Sequence, residues 1–106
     1  MITITPAAAA QITASATQGN MTGMPMRVAA RRESDGSIHY GMGFDDNEQE
    51  GDIHVRSEGV DVVIAMASQP LVQGMTIDYV EIEPGSWQFI FLNPNDADYV
   101  APKKDT

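Results

Sequence analysis

Two runs of strict apolar alternation, joined by an Asp-Gly pair, constrain this chain more than any other feature. Met26, Val28 and Ala30 alternate with Arg27, Ala29 and Arg31; Ile38, Tyr40, Met42 and Phe44 alternate with His39, Gly41 and Gly43. A period of two puts each set on one face of a strand, with the apolar set turned toward a core. Asp35-Gly36 between the runs is a hairpin signal, because both residue types tolerate the positive φ of a tight turn. The chain is therefore expected to build a half-buried antiparallel hairpin, and its other elements must cover the apolar side.

Those other elements are legible in outline. Ile2 and Ile4 alternate with Thr3 and Thr5, which suits a short entry strand. Thr5-Pro6 then reads as a helix start, since the hydroxyl can cap free amides and proline at the first helical position gives up no needed donor. The alanine run that follows favours helix and Gly19 suits its end, with Ala9, Ile12 and Ala16 as the packing stripe. Residues 19–25 read as a loop and residues 45–52 as a solvated polar connector. Ile53 and Val55 make a short strand. Residues 60–66 are apolar on nearly both faces and should form a central strand. Ser68 is expected to cap a short helix running to Gln73, with Pro70 in its first turn and Gly74 closing it. Strands at 76–81 and 88–92 flank the Pro84-Gly85 turn. Trp87, Phe89 and Phe91 share one face, which favours a core place for Trp87, and Ile90 and Leu92 take the other.

A length of 106 residues suits one domain with a modest core, and the 42% apolar fraction is ordinary for a globular protein. The expected organisation is one domain over residues 1–95 and a flexible C-terminal tail over 96–106, where apolar alternation stops. There is no cysteine, hence no disulfide framework, and no run long enough to cross a bilayer. The N-terminus lacks the basic start and apolar stretch of a signal peptide, so a cytoplasmic location is the expectation. Fifteen acidic and six basic residues leave a net charge of −9, and five of the acids crowd into residues 45–52. A field of that sign repels phosphate backbones, which argues against nucleic-acid and anionic-membrane partners.

The usual chemical constellations are missing. His39 and His54 are the only imidazoles, and two nitrogens without a thiolate fall short of a structural zinc set. The acidic loop offers Asp45, Asn47 and Gln49 at alternating positions. However, Glu50 stands where a calcium loop needs glycine, and Arg56 where it needs a bidentate glutamate. Ser37 and His39 lie two apart with no nucleophile elbow and no third group. Seven methionines are scattered and read as core filling. No enzyme is expected. Trp87, His39 and Tyr40 are the candidate partner contacts, Trp87 because exposed tryptophan so often anchors an interface.

Several short motifs share one register. Arg27-Val28, then Tyr40-Gly41 and Phe44-Asp45-Asp46, then Gly59-Val60-Asp61-Val62-Val63-Ile64, Ser68, Leu71, Gly74 and Ile77-Asp78-Tyr79, lead to Gly85–Asn95, reading GSWQFIFLNPN. From about Ile2 to Asn95 this resembles the HesB/IscA family, the A-type iron–sulfur carriers, whose terminal strand runs through N-P-N into a C-G-C tail. The resemblance implies a mainly β fold, a HesB-like compact sandwich of mixed strands with two short helices. It also implies three cysteine ligands, and their positions fall on Asp35, Val100 and Pro102. Ser37 stands where the family has glycine beside its first cysteine, and Ser86 and Gln88 where it has two glycines before the Phe strand. Soft thiolates suit iron–sulfur clusters, and carboxylate plus imidazole replaces them poorly. The chain is thus similar to a cysteine-less, DsrR-like branch that goes with dissimilatory sulfur oxidation. A resemblance of this kind implies a non-catalytic interaction or regulatory protein with no cofactor, a monomer or weak dimer whose partner is another protein. The alternative is an iron–sulfur assembly accessory, or a weak iron carrier using ligands such as Asp35 and His39.

Overall fold

The computed structural model describes residues 2–97 and Tyr99. The two alternating runs form β2, Met26–Arg32, and β3, Ile38–Phe44, paired antiparallel in continuous register from Met26 opposite Phe44 to Arg32 opposite Ile38. Gly36 closes the turn at φ +89°, the left-handed conformation that its missing Cβ makes accessible. Strands β4, Ile53–Ser57, and β5, Val60–Ile64, complete a four-stranded sheet of order β3-β2-β5-β4, with β5 parallel to β2. The unbroken apolar run thus holds the central place expected of it. A second sheet, of order β1-β6-β7, contains β1, Thr3–Ile4, β6, Thr76–Glu83, and β7, Ser86–Leu92.

The apolar faces of the two sheets meet. Met26, Val28, Val62 and Ile64 from one sheet and Ile4 and Ile77 from the other belong to one buried cluster, with Ala8, Ala9 and Ile12 of the helix α1, Pro6–Gln18. Thr5 caps α1 by accepting from the Ala8 amide at 3.1 Å, and Gly19 ends it. The buried stripe is Ala8, Ala9, Ile12 and Ala16, broader than expected by Ala8. The Ile4 amide donates to Ser57 Oγ at 3.0 Å, which ties β1 to β4 across the two sheets. The architecture is the expected mainly β sandwich of mixed strands with two short helices.

The second helix departs from expectation in detail. It is a 3₁₀ helix over Met66–Leu71, and its cap position is Ala65, with no side-chain cap. Ser68 lies inside it, buried, with its hydroxyl accepting from the Ala30 amide at 3.0 Å. A hydroxyl that reaches another strand cannot also cap its own helix, so Ser68 fastens the 3₁₀ helix to β2. Trp87 departs too: it is 51% exposed, because the β6–β7 hairpin runs beyond the body and residues 81–88 are all exposed. Period-two alternation gave its face correctly but not whether anything covers that face. No described helix is long and apolar enough to cross a membrane.

Candidate functional site

The β2–β3 turn and the segment after β7 meet in space. In the turn, Asp35 Oδ1 accepts from the amide of Ser37 at 3.0 Å and from the Ser37 hydroxyl. Those bonds, the hydroxyl's first, hold the Asp35 carboxyl below its ordinary pKa. The Glu33 amide donates to Ser37 O at 2.8 Å, and the Gly36 amide to Glu33 O at 3.0 Å. Asp35, the residue expected at the place of the family's first cysteine, is thus an exposed turn residue occupied with its own neighbours.

The other side is built from Asn93-Pro94-Asn95. Asn93 is 0% exposed and uses both ends of its amide. Its Nδ2 donates to Leu71 O at 2.7 Å, and its Oδ1 accepts from the Asn95 amide at 3.0 Å and from Asn95 Nδ2 at 2.9 Å. Asn95 Nδ2 also donates to Gln73 O at 2.8 Å. The chain leaving β7 is therefore pinned to the end of the 3₁₀ segment before it turns toward the hairpin.

Three contacts then join the turn to the tail. Arg32 donates from Nη1 to Gly36 O at 2.7 Å and from Nη2 to Asn95 O at 3.0 Å. The Ala97 amide reaches Gly36 O at 3.4 Å. The Tyr40 hydroxyl donates to Asp96 Oδ2 at 2.8 Å, while its ring stacks on Phe91 with centroids 4.6 Å apart and planes 7° from parallel. Burial, and then the bond to Asp96, push the Tyr40 phenol up to about 12. Tyr40 therefore faces inward and holds the tail, whereas His39, the preceding residue on the strand, lies exposed on the opposite face. Val100 and Pro102 lie outside the described residues. Among the described residues no three His, Cys, Asp or Glu side chains gather in a way that could hold a metal ion.

Sequence reasoning missed Arg32 and Asp96, carried Asn93 only as part of the N-P-N motif, and did not see that the ends of the acidic loop hold an arginine. Arg27, on the outer face of β2, donates from Nε to Asp45 at 2.7 Å, from Nη1 and Nη2 to the two oxygens of Asp52 at 3.0 and 2.8 Å, and from Nη2 to Asn47 O at 2.8 Å. The side chains of Arg27 and Asp52 are only 13% and 4% exposed. These bonds, to Asp52 first and then Asp45, hold the guanidinium further above its already high pKa; Asp52 is lowered to about 2, chiefly by its bonds to Arg27. Asp45 is lowered as well, by the Asn47 amide and then Arg27. The ends of the loop, Asp45 and Asp52, thus clasp Arg27 over the outer face of the sheet beside Val63, while residues 46–51 between them are exposed, as expected of a solvated connector. The one available signal was a single arginine opposite a run of acids.

The exposed end of the β6–β7 hairpin forms a third feature. Trp87 stacks on Tyr79 with centroids 5.5 Å apart, and Tyr79 meets Phe89 at 4.8 Å. Glu81 lies directly across the ladder from Trp87.

Comparison with known proteins places this geometry. The family described as iron-sulphur cluster biosynthesis matches residues 1–101. The iron-sulfur cluster insertion protein ErpA of Actinobacillus succinogenes is 34% identical over 94 residues, spanning 89% of this chain and 82% of that protein. The crystal structure of IscA with the [2Fe-2S] cluster superposes with a TM-score of 0.76 at 26% identity, covering 92% of this chain and 88% of that one. Escherichia coli SufA, involved in biosynthesis of iron-sulfur clusters, shares the fold with a TM-score of 0.72 at 22% identity over 94% of this chain and 86% of its own.

Proposed function

This chain belongs to the iron-sulphur cluster biosynthesis family, and within it we propose a non-catalytic interaction or regulatory protein, derived from an A-type carrier, that no longer holds a cluster. The observation that carries this reading is the hydrogen-bonded closure between hairpin turn and tail in a chain without cysteine. Arg32, Tyr40 and the Gly36 carbonyl grip residues 95–97, and Asp35 is engaged with Ser37. The chain has no cysteine, so a cluster has no soft thiolate to take. With the chemistry gone, the retained fold serves as a surface for another protein, in the cytoplasm. Residues 1–95 form the working domain, and the protein is a monomer or weak dimer because −9 per chain opposes self-association. Trp87 and His39 are the exposed contacts of that surface, and Tyr40 supports it from within. The resemblance to the cysteine-less, DsrR-like branch supports a place in sulfur oxidation.

Anaerobic reconstitution tests this reading. The protein is incubated with ferrous iron alone and with iron plus sulfide, desalted, and read by absorption and iron content. A colourless, iron-free product is expected in both arms. Stoichiometric iron surviving from the first arm would replace this reading with that of a weak carrier using oxygen and nitrogen ligands, Asp35 and His39 being the ones to mutate.

A further inference from the structure

Strand β7 pairs with β6 on one side, and its other edge has no strand partner among the described residues. Exposed edges in soluble proteins are ordinarily guarded by lysine, proline or an inward charge, because free N–H and C=O groups recruit another strand. Ser86–Leu92 reads SWQFIFL and carries none of these guards. The faces beside it are also open. Trp87 and Ile82 are 51% and 52% exposed, and Ile90 and Leu92 are only half-buried.

The charge around this edge has one sign. Between Ser57 and Pro102 the chain contains no lysine or arginine, while Asp78, Glu81 and Glu83 all lie on β6. The arginines elsewhere are engaged: Arg27 with Asp45 and Asp52, Arg31 with Glu33, Arg56 with Asp61, and Arg32 with backbone carbonyls. A second copy of this edge would bring the same acids together without a cation between them, which disfavours self-pairing.

We propose that β7 is a docking edge for an extended basic segment of another protein, which adds to the sheet as a fourth strand and lays an arginine or lysine on Trp87 beside Glu81. Main-chain hydrogen bonds along the free edge give such a strand its affinity, and alternate side chains give specificity. The stacked Trp87–Tyr79 pair supplies an aromatic face for the cation, and Glu81, directly across the ladder, supplies its counter-charge, while Glu83, opposite Ser86 beyond the bulge, adds to the negative field. The inference rests on the interaction-protein reading and identifies the chemistry of the partner.

Isotope-labelled full chain is titrated with an extended hexapeptide of alternating arginine and valine, and backbone amide shifts are followed by NMR. Controls are the glutamate–valine hexapeptide and the basic hexapeptide N-methylated at alternate residues. Saturable shifts concentrated on Ser86–Leu92 are expected with the basic strand alone. Trp87→Ala should weaken them about fivefold, the loss of a cation–π contact at a surface site, and Glu81→Gln with Glu83→Gln should weaken them further and flatten the salt dependence. Circular dichroism on each variant confirms that the fold persists. Equal response to the acidic or N-methylated strand, or shifts at β7 that grow with protein concentration in the absence of peptide, would overturn the proposal, the latter in favour of a second copy. Reconstitution is independent of this titration. A colourless protein that ignores the basic strand loses the docking edge alone, and an iron-loaded one loses the interaction-protein reading.

Discussion

Replacing Asn93 probes the joint between the sheet and the closed site. Its amide is fully buried and makes three hydrogen bonds: to Leu71 O, from the Asn95 amide, and from Asn95 Nδ2. Asn93→Ala leaves the Leu71 carbonyl without this donor and the Asn95 amide without this acceptor. Each buried group so abandoned costs about 1–3 kcal/mol. Water can reach part of the Asn95 side, so a total of about 2–4 kcal/mol is expected, against about 5–15 kcal/mol for a whole domain. Asn93→Asp sharpens the test because its shape is unchanged. It keeps the acceptor for Asn95 but sets a carboxylate oxygen against the Leu71 carbonyl, 2.7 Å from the present nitrogen. Burial and that carbonyl raise the pKa of the introduced acid in the folded state. The neutral form is therefore the favoured one, and the variant should regain stability relative to wild type as pH falls. Urea unfolding followed by far-ultraviolet circular dichroism at pH 7 and pH 5 measures both. An alanine variant within about 0.5 kcal/mol of wild type, the size of an ordinary surface change, would refute the account of this joint. So would an aspartate variant whose deficit is independent of pH.

Two further outcomes concern the ionised and buried groups. Asp52 is lowered from 3.8 to about 2 by Arg27, so its contribution is complete above the unfolded value and fades as pH falls from about 4 through about 2; Asp52→Asn should flatten the acid limb of a urea-midpoint against pH plot there. Tyr40, pushed up to about 12 by burial and Asp96, contributes stability that is complete below pH 10 and is lost as pH rises through about 12. Tyr40→Phe should cost about 1 kcal/mol by urea unfolding, remove a phenol titrating at about 12 from an ultraviolet pH titration, and speed amide exchange at Ala97.

Local signals in the sequence carried as far as local physics does. Thr5-Pro6 and Gly19 bounded the helix because capping is decided within a turn, and Asp35-Gly36 placed the hairpin because its φ requirement is equally local. The apolar run after Gly59 marked a central strand because burial on both faces leaves no polar position except Asp61. The illegible parts depend on partners far along the chain. Ser68 reads as a cap until Ala30, 38 residues away, claims its hydroxyl. Arg27 reads as a solvent-facing strand residue until Asp52, 25 residues on, folds back over it. Trp87 has its correct face in the alternation, yet exposure depends on where the opposing sheet stops. At the candidate site, motif register pointed to Asp35, whereas Arg32 and Asp96 bear no signature, since a surface arginine and a tail aspartate gain a role only once the turn and the tail meet.

The central claim is that this chain keeps a cluster-carrier frame whose ligands, and not whose architecture, have been lost. Reconstituting wild type beside the triple change Asp35→Cys, Val100→Cys and Pro102→Cys, with iron and sulfide under anaerobic conditions, tests it most directly. The turn and the tail already meet through Gly36, next to Asp35, and Ala97, three residues before Val100, and metal–thiolate bonding supplies the free energy to hold introduced cysteines together. The expected result is iron and charge-transfer absorption in the triple variant and neither in wild type. Absorption and iron in wild type, or identical blanks from both proteins, would contradict the account.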